Sequence, residues 1–333
     1  MTRITWVDNA KAIAIYLVVL GHFHYSYAPL PFKDLIYTFH IPAFLFITGF
    51  LLPESFAGMP AKRFLPRYIG LYLRGYAFFS AIAIGIWWAA RIAEAGGLVS
   101  PWPAIAGALY GVAGPDSWLV HHDAPLWYFT FLVTSMILAF LLTRVPPALG
   151  AALALACAGL GFLYSGPRLP WNLEMAGIGA IFVLAGHLFR RVHGGPASSF
   201  AARLGAPVNW IAVPVLLALL VWLTRVTGQV NINGAEFGNG PGLFYLAAFT
   251  GIALLVLVSA LLPPSRLGTA ISLDTLTVFA LHFYAVMVFA RLPHPETGWL
   301  ATAGAMVSSG VAVLGCLVAA RVLKPALDRL VTR

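Results

Sequence analysis

The sequence predicts an all-α integral membrane protein, with about ten transmembrane helices in one bundle and both the N- and C-termini cytoplasmic. Three observations predict it. Only 9% of the 333 residues are charged while 60% are hydrophobic, and the mean hydropathy is +0.87; a soluble domain carries about 25% charged residues. The apolar residues come in runs of membrane-spanning length, roughly 17–25 residues each. The Lys and Arg residues are divided unevenly between alternate loops, as the positive-inside rule requires.

The runs place helices at about residues 10–27, 36–52, 68–91, 125–143, 148–164, 173–190, 207–226, 242–262, 271–291 and 299–323. Turn-forming segments separate them. The first run stops at APLP and the second at PESFAGMP. The third follows the basic loop KRFLPR. Residues 101–113 are apolar but too short to cross, so they read as a half-helix or interfacial segment in an outer loop. The fourth run opens at LWYF, the fifth after VPP and the sixth after SGPRLP. The last four follow GGP, NGAEFGNGP, PPS and LPHP in turn. With the N-terminus inside, 15 of the 20 Lys and Arg residues fall on the inner side, and 5 (Lys33, Arg91, Arg168, Arg225 and Arg291) on the outer. An extra crossing at 101–113 would scramble that asymmetry downstream.

The N-terminal run, with Arg3 and Lys11 before it, has the outline of a signal peptide. GHFHYSYAPLP offers no small-residue cleavage site, so the helix is expected to stay. The whole of 1–333 is expected to form a single polytopic membrane domain without a soluble appendage. Cys157 and Cys316 lie inside apolar runs and make neither a disulfide framework nor a metal site. The net charge of +9 is scattered over loops, which argues for topology signals and against nucleic acid as a partner.

The stretch VVLGHFHYSY puts two histidines at the end of the first span. Each helical residue turns about 100°, so the 11 steps from Lys11 to His22 make three turns plus roughly 20°, with His22 about 16 Å deeper on the same face. Asp8 lies near that face. His24 is about 200° round from His22. His22 is therefore expected to face the bundle at mid-membrane depth, and His24 to lie nearer the outer interface. Gly21 leaves room for a backbone or a substrate beside His22.

Other polar residues fall at membrane depth. His40 precedes Ile41-Pro42 in the second span, and His282 is mid-way along the ninth. Ionisable side chains there mark function; a hydrogen-bonded core histidine is the alternative at both. Glu174 opens the sixth span, where a helix N-terminus also favours a carboxylate. His121, His122 and Asp123 cluster in the loop before the fourth span, but adjacent histidines without a third spaced ligand do not make a metal site. Lys62, Arg63, Arg67 and Arg74 form a basic inner stretch, PAKRFLPRYIGLYLRGY. Such cations set topology and touch anionic lipid, or they hold a phosphorylated ligand.

With Asp8, Lys11 and His22 in VDNAKAIAIYLVVLGH, followed by IYTFHIPAFLFITGFLL, the chain resembles the membrane acyltransferase-3 family, and its fucose 4-O-acetylase-like branch in particular. APLWYFTFLVTSMI, EMAGIGAIFVLAGHLFRR, NINGAEFGNGPGLFYLAAFTGIALLVLVS and LDTLTVFALHFYAVMVF follow the branch pattern in order, so the resemblance covers nearly the whole chain. Much of the family has Arg where this chain has Lys11, which keeps the charge and loses the fork geometry. The resemblance implies an acetyl-CoA-dependent O-acetyltransferase acting on a carbohydrate or lipid-linked sugar in the bacterial inner membrane, with lipids around it and no metal. It implies His22, His40, Lys11 and Asp8 at the chemistry. His282, Glu174, His122 and Trp127 would serve the acceptor, and Arg63, Arg67 and Arg74 the CoA phosphates. A transporter or flippase of a glycolipid or small molecule could use the same polar interior without chemistry. Against it, the sequence shows no internal duplication and no matching pair of broken helices.

Overall fold

The computed structural model describes residues 3–113, 124–193, 203–204, 206–295 and 297–331. Its helices are α1 (Thr5–Ser26), α2 (Lys33–Leu51), α3 (Ala61–Phe64), α4 (Gly70–Ala95), α5 (Trp102–Tyr110), α6 (Trp127–Leu142) and α7 (Pro147–Leu163). They continue with α8 (Ala176–His193), α9 (Ala212–Thr227), α10 (Pro241–Leu261), α11 (Arg266–Leu273), α12 (Thr275–Phe289) and α13 (Gly298–Val331). Among the described residues the sheet is a single two-stranded hairpin, Val230–Asn231 antiparallel to Glu236–Phe237.

Each of the ten predicted runs is helical. Six stretches are long and apolar enough by themselves to cross a membrane: Lys33–Leu51, Ala61–Ala95, Pro170–His193, Pro207–Thr227, Pro241–Leu261 and Gly298–Arg329. The protein is an integral membrane protein on that evidence. Helices α6 and α7 have 16 and 17 residues, about 25 Å of helix against a hydrocarbon core of ~30 Å. Helix α1 has the length, at 22 residues, but Asp8, Asn9, Lys11, His22 and His24 dilute its apolar surface. The short segment at 101–113 is the nine-residue α5, about 14 Å long.

The helices depart from the sequence reading in two places. The third span starts seven residues early, at Ala61, and carries a π-helical turn at Leu65–Ile69. Pro66 sits in that turn, and a proline without an N–H is accommodated by widening it. The ninth run, read as one span, is two helices: α11 and α12 meet at a bend of 85° around Asp274.

The chain divides into two compact units. The first comprises Met1–Leu51, Ala185–Ile232 and Glu236–Leu323. Helix α1 is its centre and packs on α2, α10, α11 and α12. Small residues allow close approach: at Gly186 of α8 a Cβ would overlap the Phe46 carbonyl of α2, and at Gly251 of α10 it would strike the Phe39 ring. The second comprises Leu52–Leu184, Asn233–Ala235 and Lys324–Arg333. Within it α6 packs on α4 and α7, and Phe64 stacks on Phe140 with ring centres 4.1 Å apart.

Candidate active site

Three histidines from three helices of the first unit come together. The His22 ring of α1 lies 4.9 Å, centre to centre, from the His282 ring of α12, with Phe283 edge-on at 5.8 Å. His40 of α2 is joined to them through Tyr37, whose ring lies 5.1 Å from His40 and against Gly21, the residue before His22. His40 and His282 are buried, 6% and 0% exposed, while His22 is half-buried. The His40 Nδ1 donates to the Ile36 carbonyl at 2.8 Å, and the His282 Nδ1 to the Phe279 carbonyl at 2.7 Å. Pro42 lies inside α2 without ending it.

Tyr37, which the sequence reading passed over, stands beside this group. Its ring is 5.1 Å from His40, the Lys33 ammonium is 5.0 Å above its centre, and its Cε2 lies 3.0 Å from where a Cβ on Gly21 would be. The room left by Gly21 is thus used by an aromatic side chain. His24 points elsewhere, its Nδ1 accepting the Leu30 N–H at 2.9 Å.

At the start of α1, three polar residues hold the α10–α11–α12 segment. Lys11 donates to the Ser272 carbonyl at 2.5 Å, and Asp8 accepts from the Ser272 hydroxyl at 2.7 Å. Asn9 donates to the Ser259 and Leu262 carbonyls at 3.0 and 3.1 Å. A cation at the carbonyl end of α11 also suits the helix dipole. Lys11 and His22 therefore do face the same neighbour, Lys11 at the bend and His22 along α12. Arg3 pairs with the other oxygen of Asp8, at 3.0 Å.

The second unit holds other residues nominated from sequence. Glu174 is buried and bonded to Arg168 Nε at 2.5 Å and to the Leu169 N–H at 3.1 Å. Arg168 also donates to Asn172 Oδ1 at 2.6 Å and to the Asn233 carbonyl. Trp127 is buried and stacks on Phe131 at 5.7 Å. Arg63 and Arg67 are exposed, Arg67 at the π-turn beside the Tyr68 ring, and Arg74 is half-buried. No acidic residue occurs between Glu54 and Glu94, a stretch that carries Lys62, Arg63, Arg67, Arg74 and Arg91. His121, His122 and Asp123 lie outside the described residues.

The acyltransferase-3 family, an acyltransferase domain, matches residues 4–321, nearly the whole chain. The chain belongs to the acyltransferase-3 family. No curated protein matches it. The family makes the protein a membrane acyltransferase, and paired imidazoles are groups able to move a proton. A neutral imidazole near pH 7 can take the hydroxyl proton and return it to the leaving group. The residues missed from sequence (Tyr37, Ser272, Asn9 and Arg168) carry no periodic or motif signal. Asn9 alone could have been found, as a third polar residue beside Asp8 and Lys11 at the start of a span.

Proposed function

We propose that the protein is an acetyl-CoA-dependent O-acetyltransferase that modifies a hydroxyl of a carbohydrate or lipid-linked sugar. The observation that carries this reading is the meeting of His22 and His282, with His40 beyond the Tyr37 ring, in a chain of the acyltransferase-3 family. In the reaction, His22 takes the proton of the acceptor hydroxyl as the oxygen attacks the thioester carbonyl. The carbon–sulfur bond then breaks, and the imidazolium gives that proton to the departing CoA sulfur, so that CoA leaves as the thiol and His22 is neutral again. His40 shares the site as a second base. Arg63, Arg67 and Arg74 take the CoA phosphates, for which two exposed guanidiniums in an acid-free stretch are chemically suited. The likeness to the fucose 4-O-acetylase-like branch supports a sugar hydroxyl as the acceptor and a bacterial inner membrane as the setting. One polytopic domain of ten crossings, with both termini cytoplasmic, is the topology that goes with it.

One observation favours the rival transporter reading. The 85° break between α11 and α12 is a discontinuous helix of the kind that lines transport sites. Among the described residues no second bent pair accompanies it. Thioester consumption separates the two readings. Purified protein in detergent should consume acetyl-CoA, and the His22→Ala variant should not. Saturable sugar or glycolipid binding with no loss of thioester would instead support the transporter.

A further inference from the structure

The backbone fixes the tautomers of two of the three histidines. A carbonyl oxygen can only accept, so the ring nitrogen facing it carries the hydrogen. Nδ1 of His282 faces the Phe279 carbonyl and Nδ1 of His40 faces the Ile36 carbonyl. Each neutral ring therefore keeps its lone pair on Nε2. The Nε2 of His282 is buried and has no hydrogen-bond partner, in a residue that is 0% exposed. A buried acceptor without a donor is an unfavourable state that a native structure is expected to relieve.

The ring beside it is His22, and among the described residues His22 makes no hydrogen bond. Two imidazoles joined by one N–H···N bond of roughly 3 Å have ring centres about 5 Å apart. The observed separation is 4.9 Å, and the rings are tilted by 53°. The separation is that of a bonded pair, so what the bond requires is a turn of the half-buried His22 ring.

We propose that His282 is a positioning residue for His22: its Nε2 accepts an N–H of His22, so that the lone pair of His22 lies on the opposite nitrogen, facing the acceptor hydroxyl. This rests on the reading of His22 as the base. The chain runs from His22 N–H to His282 Nε2, and from His282 Nδ1–H to the Phe279 carbonyl. When His22 takes the hydroxyl proton, its bond to His282 supports the imidazolium, and no proton passes to His282. A neutral ring here does the orienting that a carboxylate commonly does, and it does so without placing a charge at membrane depth.

The test uses the full-length protein in detergent, labelled with ¹⁵N-histidine, and reads long-range proton–nitrogen correlations. His22→Ala, His282→Leu and His282→Gln assign the signals. Wild type should show His282 with hydrogen on Nδ1 and His22 in one tautomer. His282→Leu should turn His22 into a mixture of tautomers and lower kcat for acetyl-CoA hydrolysis about 10- to 100-fold, with KM unchanged. His282→Gln, whose amide oxygen can reach the place of Nε2, should restore both in part. A single, unchanged His22 tautomer in folded His282→Leu would overturn the proposal, as would His282 carrying its hydrogen on Nε2. The nitrogen spectra need no turnover, so they stand apart from the activity claim. If His282 orders the His22 tautomer but His22→Ala hydrolyses acetyl-CoA at the wild-type rate, the base assignment fails and the positioning contact survives.

Discussion

At His22 the ring is half-buried and makes no hydrogen bond among the described residues, whereas the His24 ring accepts the Leu30 N–H at 2.9 Å. His22→Ala should lower acetyl transfer by about 10²–10⁴-fold, the usual range for losing a general base. His24→Gln should leave turnover within about twofold, because its acceptor role lies in the turn that follows α1; both rates are read from thioester loss. Helical geometry separated these two residues from sequence alone, since about 200° of rotation cannot put them on one face. The same reasoning nominated Glu174 but had no way to reach its pairing with Arg168. Its partner Arg168 lies in the preceding loop, and the chain turns back between them through left-handed Trp171 and Asn172, at φ 60° and 56°. Asn tolerates that conformation and Trp does not advertise it. Glu174→Gln should leave a buried guanidinium without its counter-charge and cost about 3–5 kcal/mol of stability. Thermal unfolding of the purified variant measures it. A fall in acceptor affinity with stability unchanged would favour a substrate role for Glu174 over a structural one.

Among the elements, the α11–α12 bend is the one on which the site most depends, because α12 carries His282. Asp8 and Lys11 hold Ser272 at the bend, while Asn9 holds the end of α10. Asn9→Leu should leave the Ser259 and Leu262 carbonyls without their donor and lower stability by about 1–3 kcal/mol, with acetyl-CoA affinity kept. Calorimetry against binding distinguishes these effects. Gly186→Ala should also destabilise the fold, because the added methyl meets the Phe46 backbone, which cannot swing aside as a flexible side chain would. The sequence read residues 271–291 as one continuous span because SLDT contains neither Gly nor Pro. The bend is held instead by residues more than 250 positions away, and no local pattern carries that information. The half-helix at α5 was legible for the opposite reason: its length alone forbids a crossing.

For the whole molecule, the apolar runs gave the position of every helix they covered, because hydrophobic length is a local property. They did not give the grouping of three histidines, which depends on how α1, α2 and α12 pack. The positive-inside count predicts that reporters fused to either terminus report a cytoplasmic location; an N-terminal reporter outside would reverse the assignment of Arg63, Arg67 and Arg74 to cytoplasmic CoA. In this reading the membrane acyltransferase draws its acyl group from acetyl-CoA and uses His22 as the base. This is tested most directly by following acetyl-CoA binding and thioester loss in purified wild type, Arg67→Ala and His22→Ala, each with folding verified. Binding should be saturable in wild type and weakened about tenfold or more in Arg67→Ala, and thioester loss should be abolished in His22→Ala while binding persists. Thioester loss at the wild-type rate in His22→Ala, or no acetyl-CoA binding by the folded wild type, would contradict it.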